Sequence, residues 1–144
     1  MSASRFVDAA GAALRVEAFA GKRVAYYFAA GWCPMCTDFE PALLEFRAKN
    51  SVELVLVSSD GSQEAASARA KALGMPMVPY AETAAMKKTF KIWAGKERPE
   101  FGDDRRSGVP AIVPIDKEGQ EIQFLAAESD GVKVLGDWAD QAAW

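Results

Sequence analysis

Two cysteines three residues apart, Cys33 and Cys36, stand between a strand-like run and a stretch of helical periodicity. Val24–Ala30 (Val-Ala-Tyr-Tyr-Phe-Ala-Ala) has the length and the aromatic, β-branched composition of a strand. From about Pro34 to Lys49, Cys36, Phe39, Leu43 and Phe46 recur at spacings of three and four, which places them on one helix face. Pro34 suits a helix start, where its missing N–H has no partner to lose. Pro41, inside the pattern, is expected to kink the helix. Val52–Ser58 is a second apolar run, so the segment reads as a βαβ unit whose strands are covered on both faces. A Cys-x-x-Cys pattern is weak in isolation; at a strand–turn–helix junction it is constraining.

That placement implies a chemistry. The thiolate, not the thiol, attacks a disulfide. Unpaired backbone N–H groups and the helix dipole favour an anion at a helix N-terminus. Cys33 is expected at that end and partly exposed, with Cys36 one turn further on, more buried and within disulfide reach. Cys33 would attack a substrate disulfide, and Cys36 would resolve the mixed disulfide that results. A purely stabilising disulfide is the plainer reading, but so short a loop removes only about 2 kcal/mol of chain entropy. A chain of 144 residues can build a core without it. A zinc clip would need a second copy of the chain to complete its ligands. The sequence holds no histidine, which excludes Cys–His and Ser–His nucleophilic mechanisms. No metal or other cofactor is expected.

Elsewhere, Arg5–Val7 and Ala13–Phe19 suggest an N-terminal hairpin. Ser62–Leu73 and Ala81–Phe90 read as helices. Ala111–Ile115 and Glu121–Ala126 read as a hairpin around Asp116–Gly119, and Gly131–Ala143 as a closing amphipathic helix. The whole of 1–144 is expected to form one α/β domain with a central mixed sheet flanked by helices. Trp93–Gly108 is the least structured stretch. From Lys87 to Arg106 there are seven Lys/Arg against four Asp/Glu, which reads either as a solvated loop or as a docking surface for an acidic partner.

Four positions besides the cysteines and their intervening Pro34 and Met35 are site candidates. Trp32 lies on the turn, as a half-exposed platform or a core aromatic. Val109 and Pro110 precede a strand, as a simple strand-edge proline or as a cis-proline packed against the cysteines. Asp60 follows the second strand, near the edge where α/β folds place their sites. It either handles the resolving proton or serves as a turn or helix cap. The net charge of −3 argues against nucleic acid. No apolar run approaches the roughly 20 residues of a bilayer span. Asp8, Arg15 and Glu17 interrupt any leader-like stretch, so no signal peptide and a reducing, cytoplasmic setting are expected.

Several of these segments carry a family resemblance. Trp32-Cys33-Pro34-x-Cys36, Pro41 and Val109-Pro110 resemble the thioredoxin superfamily. Tyr26-Tyr27-Phe28-Ala29-Ala30-Gly31-Trp32, Val57-Ser58-Ser59-Asp60, Met75-Pro76 and Val78-Pro79-Tyr80 resemble its tryparedoxin/nucleoredoxin group. The resemblance spans about Gly21 to Asp137. It implies a thioredoxin-like fold with an insertion before the cis-proline loop. It implies a monomeric protein-disulfide reductase served by an upstream thiol reductant, with a peroxiredoxin-type peroxidase as a family-like substrate. A redox-sensing binding module with little turnover is the alternative. Thioredoxins proper carry a buried Asp six residues before the nucleophile; Tyr27 stands there in this chain, and packing is its expected role. Tryparedoxins usually have Pro-Pro between the cysteines, where this chain has Pro34-Met35.

Overall fold

A computed structural model describes residues 6–138 and 141–144. Strand β1 (Arg23–Ala29) lies at the centre of a three-stranded sheet, with β2 (Val52–Ser58) on one side and β3 (Ala111–Ile115) on the other. β2 runs parallel to β1, placing Leu56 beside Tyr27; β3 runs antiparallel, placing Ile112 there. Every β1 residue after Arg23 is buried, as a central strand with two covered faces requires.

Side-chain alternation along β1 assigns the helices to faces. Tyr26 and Phe28 meet Phe90, at 5.6 and 5.9 Å between ring centroids. Tyr27 points the other way, to Phe39 at 6.3 Å. Phe39 belongs to α1 (Pro34–Asn50), which α2 (Gln63–Leu73) joins through an Arg69–Glu40 ion pair. Phe90 ends α3 (Thr83–Phe90), on the opposite face. There Phe6 packs edge-on to Tyr26 and to Phe19, and stacks with Trp144. The expected βαβ unit and mixed sheet are present, and α1 begins at Pro34 as its pattern predicts. Ser62 caps α2, its hydroxyl accepting from the Ala65 N–H at 3.1 Å. Gly74, with φ of +64°, ends α2 in a left-handed turn that glycine adopts without strain.

Four expectations give way. The N-terminal hairpin reduces to one bridge, Val7 to Ala13. Val7 also bridges Met77, which bridges Leu56, so the segment reaches β2 through Met77. Val16–Phe19 is a single 3₁₀ turn, and Arg5 lies outside the described residues. The second strand at Glu121–Ala126 is only a pair of bridges, to Ile115 and Ile112. Pro114 between them has no N–H, so Ile122 donates to its carbonyl at 2.9 Å and nothing is returned.

The single C-terminal helix is instead α5 (Ala127–Asp130) and α6 (Lys133–Asp137), separated at Gly131 with φ of +67°. Beyond Asp137 the backbone extends so that Trp138 stacks on Phe46 at 5.2 Å. Ala139 and Asp140 lie outside the described residues. Trp93–Gly108, finally, is ordered. It contains a 3₁₀ turn (Gly95–Glu97) and α4 (Arg98–Phe101), and a bridge from Ile92 to Ser107 closes it. Trp93 anchors it from within, nearly buried, its Nε1–H donating to the Gly102 carbonyl at 3.0 Å.

Leu43 is fully buried on the sheet side of α1. Leu43→Ala is expected to lower stability by about 2–5 kcal/mol through the cavity it leaves. Urea unfolding should show an earlier midpoint with an unchanged slope.

Candidate active site

The turn from β1 into α1 holds the cysteines, and β2 shapes that turn. Asp60, just past β2, accepts the Gly31 N–H on Oδ1 at 2.9 Å and the Ser58 hydroxyl on Oδ2 at 2.8 Å. Trp32 Nε1–H donates to the Ser59 carbonyl at 3.0 Å. The turn is thereby tied to the neighbouring strand at two successive residues. Gly31 permits this closeness: a Cβ there would lie 3.3 Å from the Arg69 stem and 3.4 Å from Asp60 Oδ1.

Cys33 is the N-cap of α1, with its sulfur accepting the Cys36 N–H at 3.2 Å. A cap atom in that position receives the field of the helix terminus and a direct donor. The expectation of partial exposure was too generous, since Cys33 is only 6% exposed. Part of its cover is Val109, whose carbonyl lies 4.0 Å from Sγ. A groove of about 360 Å³ nevertheless reaches the sulfur, lined by Trp32, Cys33, Pro34, Met35, Ala94, Gly95, Lys96, Val109 and Glu128. The Val109–Pro110 bond is cis, and Pro110 is buried behind the groove.

Cys36 is fully buried, and both cysteines are free thiols. Burial and the adjacent Cys33 push the Cys36 thiol well above its ordinary range, so the buried sulfur holds its proton. The pair is therefore asymmetric: one sulfur at a groove, capped by a donor, and one sealed beneath it.

Trp32 is the half-exposed platform of the sharper reading, 40% exposed beside a 51% exposed Met35. The ammonium of Lys96 sits 4.6 Å from the Trp32 ring centroid. Its neighbour Glu97 ties this segment to the rest of the domain. Glu97 accepts from the Ser59 hydroxyl at 2.7 Å, the Ala94 N–H at 2.9 Å and the Lys87 ammonium at 2.6 Å. The charged insertion is thus a wall of the site and not a wholly solvated loop. Lys96, Glu97 and Glu128 escape a sequence reading because they come from segments remote from the cysteines. Glu40 does carry a signal: it is an acid next to Phe39 on the apolar stripe, four residues past Cys36. It is buried, accepts the Tyr27 hydroxyl at 2.8 Å and pairs with Arg69. Tyr27 packs as expected, but its hydroxyl also joins this polar cluster.

A thioredoxin-like family profile matches residues 21–121. A probable nucleoredoxin 1 of Arabidopsis thaliana is 29% identical over 119 residues, 78% of this chain and 18% of that protein. The nucleoredoxin of Homo sapiens is 25% identical over 132 residues, 88% of this chain and 27% of that protein. The chain therefore spans about a quarter or less of these relatives' length. Among solved structures, a thioredoxin from Wuchereria bancrofti superposes with a TM-score of 0.66 at 26% identity, covering 96% of this chain and 90% of the other. Native tryparedoxin I from Crithidia fasciculata gives 0.63 at 25% identity, covering 91% and 85%. Among the described residues no helix is long and apolar enough to cross a membrane.

Lys87 and Glu97 have side chains 5% and 14% exposed. Glu97→Ala strands the Lys87 charge in the interior, a loss of about 3–5 kcal/mol for such pairs. Amide exchange across residues 94–102 should accelerate and the melting temperature should fall. Unchanged exchange there would show that Glu97 does not hold the wall.

Proposed function

Because the chain belongs to the thioredoxin-like family, within its tryparedoxin/nucleoredoxin-like group, we propose that it is a thiol–disulfide oxidoreductase that reduces protein disulfides through Cys33 and Cys36. The observation that carries this is the asymmetry of the pair: Cys33 caps a helix at the end of an open groove, while Cys36 lies sealed one turn below. The Cys33 thiolate attacks one sulfur of a substrate disulfide, and the other leaves as a thiolate that takes up a proton. Cys36 then loses its proton and attacks Cys33. The second substrate sulfur is expelled and the enzyme's own disulfide forms. An upstream thiol reductant restores the dithiol, so no cofactor is required.

Trp32, Pro34, Met35 and Val109 line the surface that a substrate segment would meet, with the cis Pro110 buried behind it, and a peroxiredoxin-type peroxidase is a substrate of the right class. Asp60 has both oxygens engaged, by Gly31 and Ser58, which suits it to shaping the turn as much as to carrying a proton. The chain would work in the cytoplasm as a single, monomeric domain. One observation favours the alternative of a redox-sensing binding module: Cys33 is only 6% exposed, at a groove walled by Ala94, Gly95 and Lys96, which restricts which disulfides reach it.

Reduction of insulin disulfides with dithiothreitol as electron source separates the two. Wild-type protein should turn over repeatedly. Cys33→Ser should fall to the uncatalysed rate, and Cys36→Ser should stall as a covalent mixed disulfide. Equal rates for wild type and Cys33→Ser would end the enzymatic reading. Negligible turnover with redox-dependent partner capture would support the sensing module.

A further inference from the structure

The resolving step places a negative charge on a sulfur with no exposure to water. Burial opposes that charge, so something inside the protein has to compensate for it. The charged and titratable groups around Cys36 are Cys33 and Glu40 on the same helix, Tyr27 on β1, Arg69 on α2 and Asp60 after β2. Asp60 is committed to Gly31 and Ser58. Glu40 lies four residues past Cys36, one helical turn away on the same buried face. It accepts the Tyr27 hydroxyl on Oε2 and pairs with Arg69 through Oε1. The Arg69 stem passes under Gly31, beside the turn that carries Cys33. Side-chain exposures of 21% for Arg69 and 4% for Glu40 make this an ion pair largely shielded from solvent. Such a pair is costly to bury, and a hydrophobic pair of like volume would often be more stable. Its position, beside the turn that carries Cys33 and one helical turn past Cys36, calls for a role.

We propose that Glu40 and Arg69 are positioning residues for the resolving step. Arg69 is the counter-ion of the Cys36 thiolate, and Glu40 holds it in place while limiting how much of its charge the sulfur receives. This rests on the dithiol-exchange reading above. The balance is simple. Cys36 releases its proton and its sulfur attacks Cys33 Sγ. The Cys33–substrate bond breaks with its electron pair going to the substrate sulfur, which takes up a proton. The Arg69 charge moves nowhere; it compensates in turn the carboxylate and the transient thiolate. Burial and Cys33 raise the energy of the Cys36 anion, whereas the backbone at Ala30 and the Arg69 charge lower it; of these two, the Arg69 side chain is the charged group.

The test uses Cys33→Ser protein, in which Cys36 is the single thiol, and follows its alkylation by iodoacetamide across neutral to alkaline pH. No substrate is present, so the outcome does not depend on turnover. Arg69→Gln should slow alkylation at neutral pH by about threefold or more, since the thiolate loses its neighbouring cation. Arg69→Lys, which keeps the charge, should stay within about twofold of the parent. Glu40→Gln should accelerate the reaction, because the anion competing for Arg69 is gone. A merely loosened core would accelerate all three. Rates for Arg69→Gln and Glu40→Gln that move together, or that do not move, overturn the proposal. Should Arg69→Gln fail to fold, an unchanged or slower Glu40→Gln overturns it alone. Opposite shifts in alkylation combined with no disulfide reduction by wild-type protein would remove the oxidoreductase reading and leave the charge coupling standing. Intact turnover with no shifts would do the reverse.

Discussion

The amide of Cys36 points at the sulfur of Cys33 across 3.2 Å, and most of the site is arranged to keep it there. That contact makes Cys33 the cap of α1, so one atom is at once the end of a helix and the candidate nucleophile. The cap holds its geometry only if the chain leaves β1 at a fixed angle. Asp60 secures this by taking the Gly31 N–H, and Ser59 secures it by accepting from the Trp32 indole. Both partners stand on the segment leaving β2, so the parallel pairing of β1 with β2 reaches directly into the reactive turn.

The core was legible because its residues obey simple periodicities. Val24–Ala30 and Val52–Ser58 read as strands, and Cys36, Phe39 and Leu43 marked the buried face of α1. What escaped is non-local. Nothing in Glu121–Ala126 shows that Pro114, on the strand opposite, withholds the donor a hairpin ladder needs. The Gly131–Ala143 pattern does not reveal that Trp138 and Trp144 are each drawn to a separate aromatic cluster, on Phe46 and Phe6, which a continuous helix would not allow. The charged insertion reads as solvated until Lys87 and Glu97 are found paired in the interior. Of the site, the cysteines, Trp32 and the Val109–Pro110 position were readable from the motif. Lys96, Glu97, Glu128 and Arg69 enter only when the chain brings distant segments together.

The ordered 93–108 segment and the buried ion pair set the surroundings of the two sulfurs. On the groove side, Lys96 over Trp32 and Glu128 beneath Gly108 bring one positive and one negative group to the approach to Cys33. On the interior side, Glu40 occupies a position on an otherwise apolar stripe and draws Arg69 inward. The two sulfurs thus face different electrostatic surroundings, the outer one set by a helix terminus and the inner one by a buried charge pair. Under the proposed exchange chemistry, that difference puts attack at Cys33 and resolution at Cys36.

The most direct test of this asymmetry is chemical competition in the reduced wild-type protein. Brief treatment with limiting iodoacetamide near neutral pH, followed by peptide mass mapping, reports which sulfur is both ionised and reachable. The account predicts carbamidomethyl label on Cys33 with Cys36 essentially untouched. Label on Cys36 at an equal or greater rate in folded protein would contradict it.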